Sequence, residues 1–141
     1  MNAKEVTEVK KFGIASMCKD LLEVGDNLNL CVSSVDKTNI DETSKVIIEG
    51  VEMTDNVFHK VLKKYGVEKY DDVVNETVFD PYKHEALYQN PAVNKNVVAS
   101  VERVGYKIEG RLLRASRVGV GSMIEERKRH VAESDVDIYK Q

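Results

Sequence analysis

The stretch FDPYKHEALY, residues 79 to 88, sets His84 beside Glu85, with Asp80 and a second acid-rich stretch close by. An imidazole next to carboxylates is the raw material of a metal site or of an acid–base pair. The helical zinc pattern HExxH needs a second histidine four residues after the first, and HEAL lacks it. His59, His84 and His130 are scattered over a helix, a loop of a β unit and a tail, and none has a Cys or Asp partner at ligand spacing. His84 is therefore expected to be a turn-capping or packed residue. Asp80-Pro81 has the form of a turn start, with Asp80 as the cap and the proline at the first helical position. An enzyme built around His84 and Glu85 is the competing expectation.

Other reactive arrangements fare no better. VGVGS, at residues 118 to 122, lacks the lysine and the spacing of a phosphate-binding GxxxxGK[ST] loop. Cys18 falls on an apolar helical stripe, whereas a nucleophilic thiol needs an exposed, electropositive setting, so it is expected in the core. What remains is a cluster of arginines on and beside a valine-rich hairpin: Arg103, Arg111, Arg114 and Arg117. Strand alternation sends Arg111 and Arg117 to one face and Arg114 to the other. Such a group is either a solvated strand face or a protein-binding surface, where bidentate pairing combines with flat apolar contact.

These residues must be carried by a small fold. The chain has 141 residues, 42% hydrophobic and 32% charged, enough for one core and for much solvated helix surface. A net charge of −3, from 21 basic and 24 acidic residues, provides no field for a polyphosphate backbone, so no nucleic-acid partner is expected. No run reaches the ~18 apolar residues of a membrane span, and MNAKEVTEVKKFG has no apolar signal core. Cys18 and Cys31 lie on one helical stretch, about 20 Å apart at 1.5 Å per residue, which is beyond disulfide reach and fits a reducing compartment.

Apolar or small residues recur at Ile14, Cys18, Leu21, Gly25, Leu28 and Val32, and again at Ile47, Val51, Thr54, Phe58, Val61 and Tyr65. This spacing predicts two amphipathic helices. The polar segment SSVDKTNIDETS joins them and ends in an N-cap at Asn39 or Asp41. Lys60, Lys63 and Lys64 followed by Gly66 mark the end of the second helix. Two helices alone cannot bury both stripes, so a homodimer completing a four-helix bundle is expected, with Ile14, Cys18, Leu21, Leu28, Ile47, Val51, Phe58 and Val61 at the interface. Gly50, within the second helix, is either a tolerated glycine on an exposed face or a point of close helix or partner approach. From Gly66 onward the period changes. Residues 97 to 121 alternate and are punctuated by glycines, and Gly110 predicts a hairpin turn between YKI and RLL. The expected class is α+β. Residues 1–66 would form a helical dimerisation region, 67–121 a small, mostly antiparallel β domain, and 122–141 a charged tail that is disordered or a frayed helix.

FDPYKHEAL followed by GYKIEGRLLRASRVGV resembles the signature of the GrpE family of nucleotide exchange factors. The match includes Phe79-Asp80-Pro81, His84, Ala86, Gly105-Tyr106, Gly110, Leu113-Arg114, Ser116, Val118 and Val120. KKFGIASMCKDLLEVGDNL and IEGVEMTDNVFHKVLKKYGVEKY are similar to the family's helical portion, and MCKDLLEV and FDPYKHEALY are worded like mitochondrial members.

The resemblance implies a homodimer with paired helices, a four-helix bundle and one β wing per subunit. It implies a co-chaperone without cofactor or bond chemistry that releases ADP from a DnaK-type seventy-kilodalton heat-shock chaperone. By the same resemblance Arg111 is the main polar anchor on that partner, with Phe79, Pro81 and Val120 as apolar neighbours. Phe12 is a second contact from the helical part, Gly50 supports chaperone binding, and Arg114 either touches the partner or braces the sheet. The mitochondrial matrix is the implied location, with the cytoplasm of a bacterium as the alternative. Two departures stand out: Leu30 occupies a place where the family usually has arginine, and the family's long N-terminal helical stalk is almost wholly missing. A dimeric scaffold without exchange activity is the competing expectation from the binding class.

Overall fold

The computed structural model describes residues 2–124. Helix α1 runs Ala3–Ser33, earlier than its apolar stripe begins, because Asn2 and Glu5 form a capping box. The Asn2 side chain accepts from the Glu5 amide at 2.8 Å, and the Glu5 carboxylate accepts from the Asn2 amide at 3.3 Å. Helix α2 runs Glu42–Lys64. Of its two candidate caps, Asp41 is the one used: its carboxylate accepts from the Ser44 amide at 2.7 Å, which holds the Asp41 carboxyl below the usual aspartate range. The helix stops where Gly66 turns left-handed at φ 79°, with its amide bonded to the Lys63 carbonyl at 3.0 Å.

Six strands follow: β1 Val67–Lys69, β2 His84–Asn94, β3 Val98–Arg103, β4 Tyr106–Ile108, β5 Arg111–Arg114 and β6 Ser116–Met123. The class is α+β as expected, and the strands form two three-stranded sheets, β1-β4-β5 and β2-β6-β3. The described residues divide into two compact units. One holds α1, α2 and the β1-β4-β5 sheet; the other holds the β2-β6-β3 sheet with its flanking loops.

In the helical unit Cys18, Leu22 and Gly25 of α1, Ile48 and Leu62 of α2, Val67 of β1 and Tyr106 of β4 are buried. Burying each leucine side chain contributes about 1.5–3 kcal/mol. The sheet is antiparallel throughout, pairing Val67 with Ile108 and Tyr106 with Arg114. The expected hairpin turn is present at Glu109-Gly110, with φ of 47° and 78°. Two successive positive φ values are those of a type I′ turn, whose twist matches the strands, and Gly110 adopts this conformation without steric cost.

In the other unit Val98, Val118 and Val120 make the core, with Phe79 and Val101 packed against it. Here the sequence expectation needs correction. His84 does not lie in a loop but opens β2, and β2 pairs with β6 in parallel, His84 opposite Ser116. Pro91 sits inside this strand, which is possible because β2 lies at the sheet edge, where one side makes no ladder bonds. The register is broken between Asn90 and Asn94, around the proline. Ser122 and Met123 continue β6, and residues 125–141 of the expected tail, with His130, lie outside the described residues.

Candidate functional site

His84 is buried within a closed polar network. Its Nδ1 accepts from the Asp80 amide at 2.9 Å, so the ring proton sits on Nε2 and is donated to Asp72 Oδ1 at 2.8 Å. The other Asp72 oxygen accepts from the Ser116 hydroxyl at 3.0 Å, and that hydroxyl in turn accepts from the Gly105 amide at 2.9 Å. The order is Ser–Asp–His, with the carboxylate in the middle. A nucleophilic triad needs the imidazole between the acid and the hydroxyl, so this geometry ties loops to strands and activates no oxygen. Asp80 also closes the Pro81 turn, accepting from the Tyr82 amide at 3.0 Å, and its carbonyl accepts from the amides of Lys83 and His84. Among the described residues no group of three His, Cys, Asp or Glu side chains is placed to hold a metal ion.

The four arginines separate by environment. Arg111, the first residue of β5, is exposed. Arg114 is buried, its two terminal nitrogens each 2.7 Å from an oxygen of Asp26 on α1, and its guanidinium lies 5.2 Å from the centre of the Tyr106 ring. Arg114 is thus bound within the chain to α1. Arg117 is exposed and reaches Glu85 at 3.4 Å, while Arg103 is half-buried. The face that Arg111 and Arg117 were expected to share does not exist. Strand β5 ends at Arg114, and Arg117 belongs to β6 in the other sheet.

Arg111 lines an open cavity of about 880 Å3 within the helical unit. Phe12 lines it too, 78% exposed on α1, together with Tyr65 at the end of α2 and Leu112 of β5. Lys11, Lys63 and Lys64 line the same cavity with Glu8 and Glu109, so its lining mixes apolar side chains with an excess of cations. Two residues expected to meet a partner, from α1 and from β5, thus converge on one surface. In the other unit Pro81 is exposed, Phe79 is half-buried against the valine core and Val120 is buried in it.

The expected interface stripe is divided. Cys18 is 2% exposed and consumed by packing within the chain, and burial pushes its thiol pKa up. Leu28, Val51 and Phe58 are half-buried, and Ile14, Leu21, Ile47 and Val61 remain exposed. Gly50 is exposed on α2, and a Cβ built there would meet nothing within 4 Å. Among the described residues nothing requires glycine at that position.

Sequence reasoning missed Asp26, His59, Tyr106 and Asp72. Burial pushes the Tyr106 phenol up to about 12, aided by the charges of Asp26 and Asp55 and opposed by Arg114. The partners of these side chains lie far along the chain, 88 residues in the case of Asp26 and Arg114, and no local pattern announces them.

The GrpE family model matches residues 1–122. The mitochondrial GrpE protein homolog 1 of Mus musculus is 43% identical over 122 residues, covering 83% of this chain and 55% of that protein; the Homo sapiens protein gives the same values. Protein GrpE of Nitrobacter winogradskyi is 37% identical over 123 residues, covering 84% of this chain and 61% of its own length. The chain therefore spans a little over half the length of these relatives. With a family model covering most of its residues and relatives from mitochondria and bacteria alike across the same span, the chain belongs to the GrpE family.

Proposed function

We propose that this protein is a nucleotide exchange factor for a DnaK-type heat-shock chaperone. The observation that carries the proposal is the convergence of Phe12 and Arg111 on one open cavity whose lining carries more cations than anions. Aromatic residues, phenylalanine included, and arginine are both enriched at protein–protein interfaces.

The mechanism is one of binding alone. Arg111 and Phe12 engage the chaperone's nucleotide-binding domain in its open form more tightly than in its closed form. That difference is all the factor contributes to the shift between them. Once the cleft is held open, ADP loses the contacts it makes to both lobes and leaves. Pro81 adds apolar contact, and Phe79 and Val120 support it from within the valine core. Gly50 keeps the surface of α2 free of a side chain where the chaperone approaches.

Residues 1–66 serve as the dimerisation region and 67–121 as the wing that reaches the chaperone. The dimer is part of the same proposal. Ile14, Leu21, Ile47 and Val61 leave apolar side chains on the helices in contact with solvent, and a four-helix bundle formed with a second copy would cover them. The setting is the mitochondrial matrix, where exchange would support protein folding and import, or alternatively the cytoplasm of a bacterium.

The test is stopped-flow release of labelled ADP from mitochondrial and bacterial DnaK-type chaperones, with wild type and with Arg111→Ala. Release should accelerate with wild type, and the substitution should weaken chaperone affinity by about 2–4 kcal/mol, mostly through faster dissociation. Equal acceleration by both proteins would refute the role of Arg111. Dimerisation without any acceleration would make the chain a scaffold.

A further inference from the structure

We infer that Asp26 is a positioning residue for Arg111, acting through Arg114 at the base of the β4–β5 hairpin; the inference rests on the proposal that Arg111 contacts the chaperone. The hairpin is held at two ends. Near its turn, β4 pairs with β1, and the Glu109 amide bonds the Gly66 carbonyl at 2.9 Å. At its base Tyr106 and Arg114 face each other across the two strands, and each is fixed to a different helix.

Arg114 takes the Asp26 carboxylate of α1 in a two-pronged bond, both contacts 2.7 Å. Tyr106 lies alongside the guanidinium, and its hydroxyl is 2.9 Å from His59 Nε2 on α2. His59 Nδ1 is 2.8 Å from the Asp55 carbonyl, which can only accept, so Nδ1 carries a proton, and in the neutral ring Nε2 accepts from Tyr106. The residue before Asp26 is Gly25, where a Cβ would come within 3.1 Å of both the Phe58 ring and the Tyr106 hydroxyl. The helix thus approaches the hairpin base so closely that a side chain at Gly25 would force its neighbours to give way.

Arg111 begins the strand that Arg114 ends. Three residues of extended chain span about 10 Å, so a tilt of about 15° at the base moves Arg111 by about 2–3 Å. A fork-shaped guanidinium contact does not tolerate such a displacement. The forked geometry also explains why the base carries arginine and aspartate, since a lysine would restrain the distance but not the orientation.

The experiment compares wild type, Asp26→Asn, Arg111→Ala and the double variant, each as the whole chain, for affinity toward a full-length DnaK-type chaperone. Hydrogen exchange at the amides of residues 107–113 is measured alongside. Asp26→Asn should weaken binding at least about fivefold, and the double variant should bind no more weakly than Arg111→Ala alone, because neighbours that act through one contact are non-additive. Exchange in the hairpin should rise. Losses that multiply, or wild-type affinity in Asp26→Asn, would overturn the inference, since a brace that served stability alone gives no coupling to Arg111. If Arg111→Ala binds like wild type, the chaperone contact itself is wrong; unchanged hairpin exchange in Asp26→Asn would then reject positioning independently. Should Asp26→Asn fail to fold, Tyr106→Phe, which removes only the bond to His59, is put through the same cycle with the same outcomes.

Discussion

His84 Nε2 and Asp72 Oδ1 lie 2.8 Å apart, and the second oxygen of the same carboxylate holds Ser116, so one aspartate joins a histidine and a serine that face each other across two parallel strands. Ser116→Ala would leave an Asp72 oxygen and the Gly105 amide without this fully buried hydroxyl. The expected cost is about 1–3 kcal/mol, read as a lower urea midpoint with an unchanged m-value. If the chain is the proposed exchange factor, ADP release per folded molecule should be unaltered, because His84 and Ser116 are buried.

Gly25 and Gly50 are both helical glycines, but their surroundings predict opposite outcomes. An added methyl at Gly25 meets the Phe58 ring and the Tyr106 hydroxyl at 3.1 Å, so Gly25→Ala should destabilise the chain by about 1–3 kcal/mol. Gly50→Ala meets nothing and should stabilise α2 by up to about 1 kcal/mol through helix propensity. If Gly50 lies beneath the chaperone, the same substitution weakens chaperone binding while raising the melting temperature. Parallel thermal and binding measurements separate the two effects.

Tyr106 should give stability a dependence on alkaline pH. Its phenol is pushed up to about 12 in the folded chain, against about 10 for an unfolded tyrosine. The protonated phenol is thus favoured by folding. Its contribution is complete below pH of about 10 and is lost as pH rises from there through about 12. Ultraviolet titration of the six tyrosines should show one group ionising last, absent in Tyr106→Phe. The alkaline fall in urea stability should be shallower in that variant.

The two cysteines should differ sharply toward an alkylating reagent. Cys31 is exposed, whereas Cys18 is buried with its thiol pKa raised, so it presents little thiolate and no path of approach. One thiol per chain should react quickly in the native protein and the second only on the timescale of unfolding. Rapid reaction of both would contradict the packing of α1 against α2.

Neighbouring residues carry the information for most of the secondary structure. Asp41 caps α2, Gly66 ends it and Gly110 turns the hairpin, each because a cap or a positive φ is decided within three or four residues. The two helices were legible for the same reason, since apolar side chains repeating at helical spacing need no tertiary partner to be recognised. Strand β2 was not legible. Its interior proline and weak alternation hide a parallel pairing with β6 that depends on residues more than twenty positions away.

Tertiary structure alone decided which apolar positions the chain keeps for itself. Cys18 and Gly25 are buried, while Leu21, from the same stripe, stays exposed, because the β1-β4-β5 sheet and α2 cover only part of α1. It also decided the task of each arginine. Arg111 and Arg114 are three residues apart in one short strand and look alike as sequence, yet among the described residues only Arg114 of the two finds a carboxylate, supplied by a helix 88 residues earlier. A local pattern specifies conformation through forces that act between near neighbours. A charge finds its partner only when the fold brings distant parts of the chain together.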